Sequence, residues 1–285
     1  MKNGARKSYT AGGVTLMVVA RKRPHEDSVL NVGDNTATLT VTASDGATRR
    51  MTFQGGFGYP KAELAITKLD PANPVPQVIL SVYTGGAHCC QEVTVFVHRE
   101  GAWKTYDVGG GHNTDAFDFP TDIDGDGVAD LIVPDDRFAY AFSGFAGSFM
   151  PPRVYTIKDG AVVDVSASRR YDRVYRSSIK HAKEDCASTG VWGLCAGYAA
   201  DAARLGTFKS VWREVLVNYD RNENGGWPDG CKHPRPDANC RPGPDNRFRS
   251  FPEALAAFLR KLGYITRAQE RWAVAESRNP EHQRR

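Results

Sequence analysis

The sequence predicts an α+β protein: an antiparallel, all-β N-terminal domain, partial-propeller or sandwich-like, followed by a small disulfide-tethered α-helical domain. Three observations predict this. Between residues 14 and 165, short runs rich in Val, Ile, Thr, Phe and Tyr alternate with turn residues, as strands do. After about residue 170 the apolar spacing changes to that of helices. Two cysteine pairs in this second part, Cys186/Cys195 and Cys231/Cys240, each close a short loop. The domains are accordingly drawn as 1–169 and 170–285.

The strand-like runs are 14–20, 37–43, 48–54, 62–67, 77–83, 92–98, 130–133, 137–142, 153–157 and 161–165. They are separated by "VGDN", "SDG", "TGG", "REG" and "KDG", whose residues favour turns. Asp45-Gly46 between two such runs signals a hairpin. There is also a weak internal repeat. "LDPANPVPQVIL" (69–80) resembles "IDGDGVADLIV" (123–133), and each continues through a Gly-rich segment to a strand and a hairpin. The period is about 53 to 59 residues, the size of one small antiparallel sheet or propeller blade.

In the second part, "VWGLCAGYAADAARL" places Val191, Leu194, Cys195, Tyr198 and Ala202 on one helical face. "FKSVWREVLVNY" does so with Phe208, Val211, Trp212, Val215, Leu216 and Tyr219. "SFPEALAAFLRKLG" opens with a capping box, Ser250 to Glu253, and stops at Gly263; Thr266 and Gln269 repeat the box for a last helix carrying Trp272. These stripes read as core. Between them lies a Pro/Gly/Asn-rich loop, 220–249, whose length implies that it is functional, disordered or tethered, and a Cys231–Cys240 bridge would tether it.

The net charge of +4 is unevenly spread: −3 over residues 1–169 and +7 over 170–285. No basic stripe interleaved with aromatics marks a nucleic-acid surface, and no apolar run is long enough to span a bilayer. Six cysteines suggest an oxidising compartment. "MKNGARKSYTAGG" lacks the apolar stretch of a signal peptide. The expectation is a periplasmic or secreted protein whose signal is absent from this chain, against a cytoplasmic protein with free thiols.

"TDIDGDGVADLIV" (121–133) carries the chemistry. Asp122, Asp124 and Asp126 stand at positions 1, 3 and 5 of a loop, Gly127 at 6, Val128 at 7 and Asp130 at 9. A hard cation with six to eight oxygen ligands needs alternate carboxylates, a glycine at the bend and a backbone carbonyl at position 7. Carboxylates at this density repel one another unless a cation joins them. An EF-hand requires Glu at position 12 and a following helix; here Val133 stands there, inside a strand-like run.

"DIDGDGVADLIV" resembles the FG-GAP/VCBS repeat, the calcium-loop blade of integrin-α-like β-propellers, with pattern D-x-D-x-D-G-x-x-D. The resemblance covers 121–165, and loosely a degenerate copy at 66–108. It implies one structural Ca²⁺ held by Asp122, Asp124, Asp126, the Val128 carbonyl and Asp130. The degenerate copy keeps Asp70 but has Pro71, Asn73, Pro74 and Gln77 where ligands and glycine belong, which predicts a rigid turn without metal. Two copies and the N-terminal strands are too few for a standard closed propeller.

"TGGAHCC" places His88, Cys89 and Cys90 together. A soft-metal site, a His-activated thiol, a vicinal disulfide and buried structural cysteines are the alternatives. The segment is also similar to that of GGAHCC-containing bacterial exported proteins of unknown role. His112, shortly before the aspartate loop, is a lesser candidate. "DRNENG" imitates a calcium loop with Asp220, Asn222, Asn224 and Gly225, but Pro228 and Cys231 stand where its end should be. Trp227 in the same loop is a candidate anchor for a partner.

The expected function is therefore a calcium-binding, exported interaction module whose partner is an unknown protein or envelope component. The alternative is a thiol-dependent or calcium-assisted hydrolase using His88, Cys89 and Cys90 or His112. No nucleophile elbow, phosphate loop, dinucleotide fingerprint or zinc-protease motif is present.

Overall fold

The computed structural model describes residues 4–22, 35–54, 61–83, 91–109, 119–222 and 248–279. The fold is α+β, with antiparallel sheets in the N-terminal part and five helices, among the described residues, in the C-terminal part. The chain divides into two compact units, residues 1–136 with 153–166, and residues 137–152 with 167–285.

Among the described residues the first unit has three sheets, each with its strands in sequence order. One has β1 (Arg6–Ala11), β2 (Val14–Lys22), β3 (Asn35–Ala43) and β4 (Thr48–Gln54) in that order. The second has β5 (Lys61–Thr67), β6 (Gln77–Tyr83), β7 (Gln91–Arg99) and β8 (Ala102–Asp107). The third has β9 (Leu131–Pro134), β10 (Pro152–Lys158) and β11 (Ala161–Asp164), with β10 in the middle. The hairpin at Asp45-Gly46 forms, closed by Ala43 N–H to Ala47 O at 2.9 Å. Glu100-Gly101 and Asp159-Gly160 turn with positive φ at both residues, the geometry that matches strand twist.

The middle sheet is covered on both faces, which explains why β6 is buried along nearly its whole length, Gln77 and Ser81 included. Val78, Leu80, Val82, Phe96 and Trp103 pack with Val14, Leu16, Leu39, Val41 and Phe53 of the first sheet. On the other face, Ile79, Val93, Val95 and Val97 pack with Leu131, Val133, Tyr155 and Ile157 of the third sheet. Each such side chain contributes about 1.5–3 kcal/mol by leaving water. Two polar ties cross the first interface: Trp103 Nε1 donates to Ala47 O at 3.0 Å, and His98 Nε2 lies 3.0 Å from Asp45 Oδ2.

The second unit contains α1 (Asp172–Thr189), α2 (Trp192–Arg204), α3 (Phe208–Asn218), α4 (Phe251–Lys261) and α5 (Arg267–Glu276). Helix α2 is the centre. Its sequence pattern suggests one apolar face, yet Trp192, Ala196, Ala199 and Ala200 are buried as well as Cys195, Tyr198 and Ala202. Small residues make this possible. A Cβ on Gly193 would collide with the backbone carbonyl of Gly147, and one on Gly197 with the Phe149 ring. Helix α5 has the full capping box of Thr266 and Gln269. At α4, Ser250 accepts from Glu253 N, but Glu253 Oε2 reaches one residue further back, to Arg249 N at 2.8 Å.

The strand expected over 137–142 is corrected. Asp136–Phe138 is a short 3₁₀ turn, further turns follow, and Tyr140 has φ +57, which no strand accommodates. Phe138 and Phe142 are one helical repeat apart and enter the helical core, their rings edge-on to Phe258 at 5.0 and 5.1 Å. Residues 137–152 therefore group with the helices rather than with the β unit.

Within this core Asp201 is fully buried. Burial pushes its carboxyl up to about 7, against the opposing pull of the Ser178 hydroxyl and the Arg204 guanidinium. No helix among the described residues is long and apolar enough to cross a membrane.

Candidate metal centre

The aspartate loop, residues 121–130, lies between the second and third sheets in sequence and leads directly into β9. Its ends are closed by an antiparallel bridge, Thr121 N to Asp130 O at 3.2 Å and Asp130 N to Thr121 O at 2.8 Å. The chain between them turns through Gly125 (φ +81) and Gly127 (φ +83), a left-handed backbone that side-chain-bearing residues seldom adopt.

The carboxylates organise this turn. Asp122 Oδ1 accepts from Gly125 N at 2.8 Å and from Asp126 N at 3.1 Å, and its Oδ2 accepts from Gly127 N at 2.9 Å. Asp124 Oδ1 accepts from Asp126 N at 3.2 Å. Asp126 Oδ1 accepts from Val128 N at 2.9 Å. Asp130, only 2 % exposed, reaches back so that its Oδ2 accepts from Ile123 N at 3.2 Å.

One carboxylate oxygen each from Asp122, Asp124 and Asp130 lies within 4.8 Å of the others. Two oxygens bound to one Ca²⁺ at 2.3–2.6 Å can be separated by at most roughly 5 Å. The three therefore fit around a single ion, and their all-oxygen chemistry suits a hard cation. Of the residues predicted from the sequence, the structure brings these three together. Asp126 does not belong to this group; like the others it braces a loop amide, that of Val128. The Thr121–Asp130 bridge has no mark in the sequence, and the second left-handed glycine, Gly125, is marked only by its place in "DGDG".

Cys186 and Cys195 are joined in a disulfide linking α1 to α2. His88, Cys89, Cys90, His112, Asn224, Gly225, Trp227, Pro228, Cys231 and Cys240 lie outside the described residues. Asp220 and Asn222 are described, and Asp220 Oδ1 accepts from Asn222 N at 2.8 Å in an ordinary Asx turn.

The family model described as "sll0997 C-terminal domain" matches residues 168–263, the span of α1 to α4. A Synechocystis protein, "Probable thylakoid lumen protein sll0997", is 34 % identical over 217 residues, covering 72 % of this chain. A Sinorhizobium fredii protein, "Uncharacterized protein y4bJ", is 30 % identical over 216 residues, again covering 72 % of this chain. No solved structure matches. The chain thus shares a helical region with the sll0997 C-terminal domain, and it spans 61 % and 32 % of the lengths of these two relatives.

Proposed function

We propose that this chain is an exported, calcium-binding interaction module whose β unit is of FG-GAP/VCBS type. The observation that carries the reading is the convergence of Asp122, Asp124 and Asp130 in a glycine-bent loop closed at its base by a β bridge. One Ca²⁺ bound there, by these carboxylates together with Asp126 and the Val128 carbonyl, joins groups that otherwise repel. Its role is structural: it fixes the entry to β9 and the surface beside it, where a protein or envelope component docks.

Two observations support an extracytoplasmic location. The Cys186–Cys195 disulfide belongs to oxidising compartments. The Synechocystis relative bears the name of a thylakoid lumen protein. The succession of three sheets, with the middle one sandwiched, supports the blade-like reading.

The test is thermal unfolding with excess Ca²⁺ and with chelator, with bound metal read by elemental analysis on the same sample. About one calcium per chain and a chelator-sensitive melt are expected. An Asp122→Asn/Asp124→Asn variant should lose both. Wild-type protein that binds no metal and melts identically in the two conditions defeats the proposal.

A further inference from the structure

The first sheet turns a hydroxyl-rich face away from the core. Its other face packs on the second sheet through Val14, Leu16, Leu39 and Val41. Side chains alternate along a strand, so the residues between these point outward. On β3 they are Thr36, Thr38, Thr40 and Thr42, an unbroken alternation of hydroxyls. The register carries the pattern across the sheet. Thr10, Thr15, Thr42 and Thr48 stand opposite one another on β1 to β4. The next row holds Ser8, Thr40 and Arg50, and the one after it Arg6, Thr38 and Thr52; Met17 and Val19 are their apolar members. Strands stand about 4.8 Å apart, and alternate residues about 6.6 Å apart along a strand, so these hydroxyls form a regular array.

The hydroxyls order one another. Thr10 Oγ1 lies 3.1 Å from Thr15 Oγ1, Thr38 Oγ1 3.2 Å from Thr52 Oγ1, and Thr42 Oγ1 3.4 Å from Thr48 Oγ1. In each pair one hydroxyl donates and the other keeps its proton, so a donor and several lone pairs still face outward. Thr40, near the centre, is different. It is only 8 % exposed, and its hydroxyl has no hydrogen-bond partner among the described residues. A hydroxyl so enclosed costs stability until something bonds to it.

Charge selects the ligand. Arg6 and Arg50 stand on the two edge strands, both exposed, and neither has an ion-pair partner among the described residues. The four strands contain no aspartate or glutamate. Single-stranded nucleic acid is held by stacking aromatics, and a membrane surface by an inserted apolar face. This face offers neither: Met17 and Val19 are half-buried on the central strand β2, and Tyr9 and Phe53 belong to the opposite face. An acidic sugar polymer matches both features, with hydroxyls along its length and carboxylates that arginine grips with two parallel bonds.

We propose that this face binds a carboxylate-bearing polysaccharide, its sugar hydroxyls on the threonine rows and its carboxylates on Arg6 and Arg50. Binding here is separate from the aspartate loop, which leads into the third sheet on the other side of the second, so it should persist in chelator.

The experiment is calorimetric titration of the full chain, in low-salt buffer with chelator, with hexagalacturonate and with neutral maltohexaose. Saturable binding of the acidic sugar alone is expected. Arg6→Gln and Arg50→Gln should each weaken it about tenfold, and Thr40→Val about fivefold without lowering the melting temperature. Arg49→Gln should leave it unchanged, since Arg49 is exposed on the same strand but stands opposite Val41 on the other face. Melting temperatures of all variants establish that they fold. Absence of binding, equal binding of maltohexaose, or a loss that Arg49→Gln shares equally overturns the proposal. So does tighter binding to phosphatidylglycerol vesicles or to a single-stranded oligonucleotide.

Discussion

Two loops of the β unit solve the same geometric problem with opposite chemistry. Each leads into a buried strand, residues 68–76 into β6 and 121–130 into β9. In the first, Gln77 is fully buried, and its Oε1 accepts from Leu69 N at 2.7 Å and Asp70 N at 2.9 Å while its Nε2 donates to Val75 O at 3.0 Å. Asn73 ties the turn to His98 O at 2.6 Å. In the second, Asp130 occupies the place of Gln77 and likewise reaches back to a loop amide, Ile123 N. One residue is neutral and can both accept and donate; the other only accepts and carries charge. The first loop closes on itself. The second gathers like charges that gain from a cation.

The comparison makes predictions of decreasing size. Gln77→Ala strands two buried amides, at about 1–3 kcal/mol each, so it should cost about 3 kcal/mol. Denaturant unfolding should give the same loss with calcium and with chelator; a loss that depends on calcium would break the contrast between the loops. Removing calcium from wild type should cost about 2.7 kcal/mol where the ion stood at a hundredfold excess over its Kd. Asp122→Asn/Asp124→Asn should abolish that difference. Asn73→Ala, which removes the bond to His98 O, should cost about 1–2 kcal/mol, again independent of calcium.

The smallest effect concerns pH and must be separated from the loop. Asp201 has a folded-state value of about 7 against an ordinary 3.8. The folded protein therefore holds a proton that the unfolded chain has lost. The resulting stability is fully present below 3.8, declines as pH rises and is gone above about 7. Between pH 6 and 8 the decline should be about 1 kcal/mol, and Asp201→Asn should remove it. Any slope that persists in that variant and vanishes with chelator belongs to the aspartate loop.

Much of this architecture is legible in the chain because local pattern and burial agree. Strands β2 to β7 follow runs of apolar and β-branched residues, and α3 keeps Phe208, Val211, Trp212, Val215 and Leu216 inside, as their spacing predicts. Agreement fails where tertiary context decides. Strand β1, RKSYTA, is exposed throughout and has no apolar alternation to read. Helix α1 buries only Tyr175, Ala182 and Cys186, too sparse a stripe to announce itself. The FAYAF segment has strand-forming residues, but its phenylalanines find a better home among helices. At the aspartate loop, spacing nominated four carboxylates, and folded geometry groups three of them, Asp122, Asp124 and Asp130.

The excursion of residues 137–152 into the helical unit constrains the order of assembly. The chain leaves the β unit, contributes Phe138 and Phe142, returns for β10 and β11, and leaves again. During synthesis these two rings emerge well before α4, which carries the Phe251 and Phe258 rings they meet. They meet these aromatic partners only once residues 251–258 have been made. A nascent chain halted before α4 therefore holds the Phe138 and Phe142 rings without the Phe251 and Phe258 rings they meet edge-on, so this part of the helical core closes only after α4 is made.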